Sequence, residues 1–326
     1  MQIAPQFFIT IGCLLLLGLA TDLLGRRTRL PRVTLLLIFG IVIGPAVLDL
    51  IPRPVLDNFE LLANVALLMI GFLIGGRLTR KTFDGAAGAL LIISATEVVV
   101  TAVVVCGVLL LLGMSPVPAI LCACFASATD PAATMETINE SGKKSVFHDR
   151  VLAVVALDDV WSLILFSVGL AMVGGMQHAT AGLDSLIDAT HEVGGAMLLG
   201  IVLGVPAAYL TGRIKAGQPM LTEALGLVLL CGGLAMWLDV SFLIAAIVMG
   251  AVITNLARHH SYPFHAIEGI EWPFMVVFFI LAGASLKFEY VQYLGLIGVG
   301  YIIARMVGKV AGGGLGCWLS GADTIS

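Results

Sequence analysis

The stretch RVLAVVALDDVWSLILFSVGLAMVG, residues 150–174, decides the fold. It is an apolar run of spanning length broken by two adjacent carboxylates, Asp158 and Asp159. An ionisable group in hydrocarbon costs about 2.5–3.5 kcal/mol on insertion scales, so such a pair must face a partner or a water-filled cavity. The rest of the chain has the same character. Apolar residues make up 59% of the 326 positions and charged residues 12%, and mean hydropathy is +1.06. A water-soluble chain of this length could not hide that much apolar surface in one core.

Working outward, windows long enough to cross roughly 30 Å of hydrocarbon fall near residues 4–24, 33–51, 58–76, 85–113, 116–138, 150–174, 194–212, 220–238, 241–256, 268–286 and 291–319. The expectation is an all-α polytopic membrane protein of about 11 transmembrane helices in one transmembrane domain, 1–326. The first apolar run lacks a basic leading segment and ten more follow it, which reads as a span rather than a cleaved signal. Windows 241–256 and 268–286 are the weakest, the first because it is short, the second because it holds Glu268, Glu271 and Pro273.

Loop charges orient the chain. Alternate loops starting with the first hold Arg26, Arg27, Arg29, Arg32, Arg77, Arg80, Lys81, Lys143, Lys144, Arg150, Arg213, Lys215 and Arg258; the others hold Arg53 and Lys287. The positive-inside rule then puts the N-terminus outside and the C-terminus in the cytoplasm. There is no basic tract suited to nucleic acid. The six cysteines, Cys13, Cys106, Cys122, Cys124, Cys231 and Cys317, lie in apolar segments and read as packing residues, not as disulfides or a zinc site. All six histidines read as loop residues, and Asp184, Asp188 and Glu192 as a polar loop. Spaced glycines at Gly71 and Gly75, Gly200 and Gly204, and Gly308 and Gly312 read as points of close helix approach.

Arg305 and Lys309 lie inside the last apolar window, and Glu97, Asp130, Asp158 and Asp159 at comparable depth in others, with Glu223 nearer a helix start. At 1.5 Å of rise per residue, Asp158 and Asp130 each sit roughly 12 Å, and Lys309 roughly 15 Å, from the cytoplasmic end of its span. Three segments thus bring opposite charges to one level. Pro131 removes a backbone donor, so the span carrying Thr129-Asp130-Pro131 is expected to break there and to free backbone oxygens. A sodium or lithium ion needs hard oxygen ligands, and a carboxylate that can instead hold a proton makes the two cargoes mutually exclusive. Adjacent helical residues point about 100° apart, so Asp158 and Asp159 can serve different partners, one a cation cavity and one Lys309. Ser162 shares Asp159's face and is a further candidate ligand. Arg305 shares a face with Lys309 and is expected to pair with Glu97 or snorkel; Asp130 either lines the site or caps the broken helix. Glu97 and Glu223 read as structural partners.

At these residues the chain resembles the cation:proton antiporter superfamily, most closely its second family, the bacterial sodium/proton exchangers with paired aspartates. The resemblance rests on Leu30-Pro31-Arg32 before a helix ending Gly40-Ile41-Val42-Ile43-Gly44-Pro45, on Thr129-Asp130-Pro131, and on Ala156-Leu157-Asp158-Asp159. Phe278-Phe279 followed by Gly283, and Arg305 to Lys309 with Gly308, complete it. It implies an inverted-repeat sodium/proton antiporter fold working as a homodimer in the inner (plasma) membrane, with no cofactor. It implies a first core bundle at 58–174, scaffold and linking helices at 1–51 and about 194–256, and a second core bundle at 268–319. It further implies Asp159 as cation ligand and proton carrier, Asp158 as the salt-bridge partner of Lys309, and Thr129 and Asp130 at the helix break. Relatives of this topology usually have thirteen helices, so the chain is expected to be truncated before the last two and its second bundle incomplete. The function implied is exchange of Na+ or Li+ for H+ in pH homeostasis by a transporter, not an enzyme. The alternatives are K+:H+ exchange or a gated cation channel of the same fold, and, more remotely, an intramembrane aspartyl protease, whose two aspartates belong on separate helices.

Overall fold

A computed structural model describes residues 3–28, 31–140, 142, 145–177, 181–211, 220–257, 261–286 and 288–321. Among the described residues all regular structure is helical. In chain order the helices are α1 (Ile3–Thr28), α2 (Arg32–Ile43), α3 (Arg53–Asp57), α4 (Phe59–Arg77), α5 (Arg80–Phe83), α6 (Ala87–Leu111) and α7 (Pro116–Ala126). They continue with α8 (Pro131–Glu140), α9 (Val146–Gln177), α10 (Ala181–Thr211), α11 (Met220–Trp237), α12 (Phe242–Leu256), α13 (Ser261–Ala284) and α14 (Phe288–Leu319).

Each apolar window of the sequence carries a helix. Six stretches among the described residues are long and apolar enough to cross a membrane: Phe59–Arg77, Ala87–Leu111, Pro116–Glu140, Thr190–Leu210, Phe264–Ala284 and Gly295–Leu319. Pro5–Thr21, Arg32–Ile43, Leu221–Trp237 and Phe242–Leu256 are apolar but shorter, and α9, 32 residues long, carries Asp158 and Asp159. Large apolar side chains such as Val103, Leu111, Ile303 and Val310 face outward, an arrangement that lipid accepts and water does not.

Several boundaries differ from expectation. The second window does not run helically to residue 51: α2 stops at Ile43, because Pro45 pushes Gly44 into extended backbone, with ψ 177°. Asp184, Asp188 and Glu192 do not form a loop but lie on α10, four residues apart on one helical stripe. His148, His191 and His265 are likewise helical, on α9, α10 and α13. Helix α13 accommodates Pro273 and starts seven residues before Glu268. Helix α14 is kinked at Gly295, whose φ of 43° only glycine adopts freely. Arg29, Lys143, Lys144, Arg213, Lys215, Arg258 and Lys287, counted for orientation, lie outside the described residues, as do His178, His259, His260 and the segment after Gly321. The cysteines are free thiols.

Packing divides the helices into two sets. Helix α4 lies against α12 and α13, α2 against α13, and α10 against α12 and α9. Close approach needs glycine here: a Cβ on Gly75 would strike the Ile247 carbonyl, and one on Gly250 the Phe72 carbonyl. The second set is smaller. Val105, Leu109, Ala119, Ala123, Ala126 and Ala304 form a separate apolar core joining α6, α7 and α14. Helix α9 touches both sets, along α10 on one side and α6 and α7 on the other.

Candidate functional site

The site begins with a glycine stripe. Gly308, Gly312 and Gly316 of α14 recur every four residues, hence on one face. Each would drive a Cβ to within 2.7–2.8 Å of a backbone Cα on α6, at Thr101, Glu97 and Ile93 in turn. Without side chains between them the two helices touch backbone to backbone, antiparallel and in a fixed register. That register sets Lys309 beside Glu97: the ammonium Nζ donates to Glu97 Oε1 at 2.6 Å.

The second element is the break between α7 and α8. Helix α7 ends at Ala126 and α8 restarts at Pro131, leaving residues 127–130 non-helical where the sequence predicted it. A helix end leaves its last carbonyls without intrahelical donors. Here two cations fill that need. Arg305 donates from Nε to the Ala126 carbonyl at 3.0 Å and from Nη2 to the Ala128 carbonyl at 2.6 Å. Lys309 donates to the Ser127 carbonyl at 2.9 Å. Positive charge at a helix C-terminus is also favoured by the macrodipole. The expectation that Arg305 pairs with Glu97 or snorkels is therefore corrected. Its acceptors are backbone oxygens, which residue types do not reveal.

The third element is the aspartate pair on α9. Asp158 is 2% exposed. Its Oδ2 accepts from Thr129 Oγ1 at 2.6 Å, and that same hydroxyl accepts from Lys309 Nζ at 2.7 Å. Lys309 Nζ lies 3.6 Å from Asp158 Oδ2, so Asp158 is the ammonium's more distant carboxylate and Glu97 the nearer one. A lysine can make three donations, and Glu97, Ser127 and Thr129 take all three. Thr129 thus relays the contact between Lys309 and Asp158.

Asp159 points elsewhere. It lines a cavity of about 250 Å³ together with Cys124, Phe125, Ala128, Ser162, Phe166 and Ser241. Its Oδ2 is buried and has no hydrogen-bond partner among the described residues. Ser162 shares that cavity, and its hydroxyl lies 3.0 Å from Ser127 Oγ. Asp158 also keeps one buried oxygen, Oδ1, without a hydrogen-bond partner among the described residues, so the roughly 100° between neighbouring helical residues separates a carboxylate held through Oδ2 by Thr129 from one that lines the cavity. The cavity supplies one carboxylate and the hydroxyls of Ser162 and Ser241, oxygen donors of the kind that a sodium ion or a proton takes in turn.

Asp130 serves α8. Its Oδ1 accepts from the Ala132 N–H at 2.9 Å, and its carbonyl accepts from the Thr134 hydroxyl at 2.9 Å. Those contacts are helix capping. Glu223 sits apart, in the first turn of α11. Two residues escaped the sequence reading. Ser127 belongs to the break, and its nearness to Thr129-Pro131 was the available signal. Ser241 caps α12, accepting from the Ile244 N–H at 3.4 Å, and lines the cavity across from α9; no spacing links it to Asp159.

The chain as a whole is similar to known proteins. The chain is 24% identical over 320 residues to the ammonium/H+ antiporter subunit AmhT of Alkalihalophilus pseudofirmus, covering 96% of this chain and 80% of that protein. It is 24% identical over 336 residues to the Na+/H+-K+ antiporter GerN of Bacillus cereus, covering 98% and 82%. The sodium proton antiporter MjNhaP1 of Methanocaldococcus jannaschii, solved at pH 8, shares the fold with a TM-score of 0.73 and 20% identity, covering 100% of this chain and 80% of that one. The family model described as the transmembrane part of sodium/hydrogen exchangers matches residues 11–326. The chain belongs to the sodium/hydrogen exchanger family.

Proposed function

We propose that the chain is a secondary transporter that exchanges a monovalent cation, sodium or lithium, for protons across the cytoplasmic membrane by alternating access. The observation that carries this reading is the place of Asp159 at the wall of a cavity, with its Oδ2 buried and unpartnered, beside Asp158, whose Oδ2 is held by Thr129. A single carboxylate that holds either cargo, never both, couples the two fluxes. Asp159 is the cargo ligand in this reading and Ser162 adds a hydroxyl oxygen. Asp158, Thr129, Lys309 and Glu97 form the frame that fixes α9 against the helix break, while Arg305 and Asp130 finish the two half-helix ends.

The reading is of a transporter, not an enzyme, acting as a homodimer with its N-terminus outside and its C-terminus in the cytoplasm. The moving unit in it is α6, α7, α8, α9 and α14. We set α4 and α13 with the scaffold, because they pack on α2 and α12 rather than on α6 and α14; this differs from the division that the resemblance implies. A second reading, potassium or ammonium as the cargo, is favoured by the names of the relatives AmhT and GerN. Proton flux in vesicles holding the purified chain, with sodium, lithium, potassium and ammonium added in turn, separates the two. A response to sodium or lithium alone supports the first, a response to potassium or ammonium alone the second, and no response to any of the four refutes both.

A further inference from the structure

The motif Leu30-Pro31-Arg32 takes no part in the exchange site, yet its arginine is one of the most engaged side chains at the far end of α8. Pro31 has no N–H to give, so the Arg32 N–H is the first donor at the start of α2, and it donates to Glu140 Oε1 at 2.6 Å. A carboxylate there is favoured by both the orphan donor and the helix dipole. The guanidinium of the same residue reaches Glu136 at 3.8 Å and Glu140 at 3.6 Å and lies 5.5 Å from the ring centroid of Trp272 on α13. Beside it Arg77, in the last turn of α4, donates to Asn139 Oδ1 at 3.0 Å. Glu136, Asn139 and Glu140 stand at i, i+3 and i+4, so they form one stripe on α8. That stripe is tied to α2 and α4.

The ties lie opposite to the cavity. Five residues separate the end of α8 from the start of α9, so Glu140 sits at the Val146 end of α9, about 20 Å of helix rise from Asp159. The cavity runs from Asp159 the other way, toward Phe166 and Ser241. Helix α8 itself is 10 residues long, a rod of about 15 Å whose other end joins Asp130 and Thr129. One end of this rod is therefore in the site and the other is held by arginines.

We propose that Arg32, supported by Arg77, is a positioning residue that latches α8 and closes the pathway on that side of Asp159 while the cavity stands open on the other. Release of Glu136 and Glu140 from Arg32 is then the step that turns Asp159 to the opposite face of the membrane. The inference rests on the exchange reading above and adds a place where the cycle is gated.

The test starts from a cysteine-free parent shown to be active. In it Arg32→Cys and Glu140→Cys are bridged by a reducible bis-methanethiosulfonate reagent. The latch requires exchange to stop on bridging and to return with reductant; undiminished exchange by the bridged protein overturns it. Independently, Leu163 also lines the cavity, and Leu163→Cys reports access to a membrane-impermeant maleimide. Adding Arg32→Ala should slow its labelling from the cavity side about tenfold, in the range of ordinary conformational coupling, and Arg32→Lys should restore most of the rate. Unchanged labelling in the Arg32→Ala protein refutes the latch even if the bridged pair does not assemble. Failure of the exchange reading is a separate result, namely exchange that survives Asp159→Asn.

Discussion

Two neighbouring carboxylates on α9 live in opposite worlds. Behind the helix, Asp158 ends a chain of contacts that runs through Thr129 and Lys309 to Glu97 and the carbonyls of the broken span. In front of it, Asp159 keeps a buried oxygen without a partner in a cavity that Ser162 shares. The difference teaches how a membrane protein can tie one carboxylate into a polar frame and leave the next beside a cavity, free to exchange partners. One lysine shared between Glu97 and Asp158 holds this frame together at the cost of mobility, since removing any member strands another in low dielectric. Asp159 can change its occupant without disturbing that network.

The comparison breaks most visibly if the roles are not divided. Asp159→Asn retains the shape and removes the exchangeable charge, so cation-dependent proton flux in vesicles should fall to the level of empty liposomes. The folded protein should keep its thermal stability, because no contact of the network is lost. Persistent exchange would give the cargo to Asp158 or to another group. Lys309→Ala tests the other side. It leaves Glu97 and Asp158 as buried charges without a cation, and breaking such a pair costs about 3–5 kcal/mol. A large drop in unfolding temperature is expected, with much of it recovered in the double variant Lys309→Ala with Glu97→Gln. A Lys309→Ala protein of parental stability that cannot exchange would move Lys309 into the cargo path.

The frame itself can be loosened at its packing. Gly312→Ala places a methyl 2.7 Å from the Glu97 Cα, where backbone cannot yield as a side chain would. Overpacking of this kind costs about 1–3 kcal/mol, and it should widen the α6–α14 spacing that holds Lys309 to Glu97. Gly313→Ala, with open space at its Cβ, is the control on the neighbouring face and should leave stability within experimental scatter. Equal losses in the two variants would mean that helix propensity, not the close approach at Glu97, sets the effect.

What the sequence disclosed follows from lipid as a solvent. Asp158, Asp159, Lys309 and the Thr129-Asp130-Pro131 break stand out because charges and prolines violate an apolar run, and each violation needs a structural answer. The answers themselves were less legible. Glu97 and Asp158 are both acidic and at similar depth, so only the register set by Gly308, Gly312 and Gly316 decides which of them Lys309 reaches first. Arg305 binds carbonyls, and backbone oxygens have no letter in a sequence. The helical start of α10 had a signal that was available: Asp184, Asp188 and Glu192 recur every four residues. Glu136, Asn139 and Glu140 likewise share a face, but their partners come from α2 and α4, and no local pattern names them.

The smallest effect should come from Ser162. Its hydroxyl sits in the cavity with Asp159 and 3.0 Å from Ser127 Oγ, while the main network does not pass through it. Ser162→Ala removes one neutral oxygen and one hydrogen bond worth about 1 kcal/mol net, or roughly a fivefold change in an equilibrium constant. If that oxygen touches cargo, the cost should fall on the half-saturating cation concentration, with maximal flux nearly unchanged. If it only joins α7 to α9, the cost should appear in unfolding temperature with the cation dependence unmoved. Ser127→Ala separates the cases further, since it removes the same hydrogen bond, together with the one that Ser127 Oγ donates to the Cys124 carbonyl at 2.7 Å, and leaves the Ser162 hydroxyl in the cavity. A rise in half-saturation for Ser162→Ala but not for Ser127→Ala would place Ser162 on the Asp159 side of the divide; equal behaviour of the two would return it to the frame.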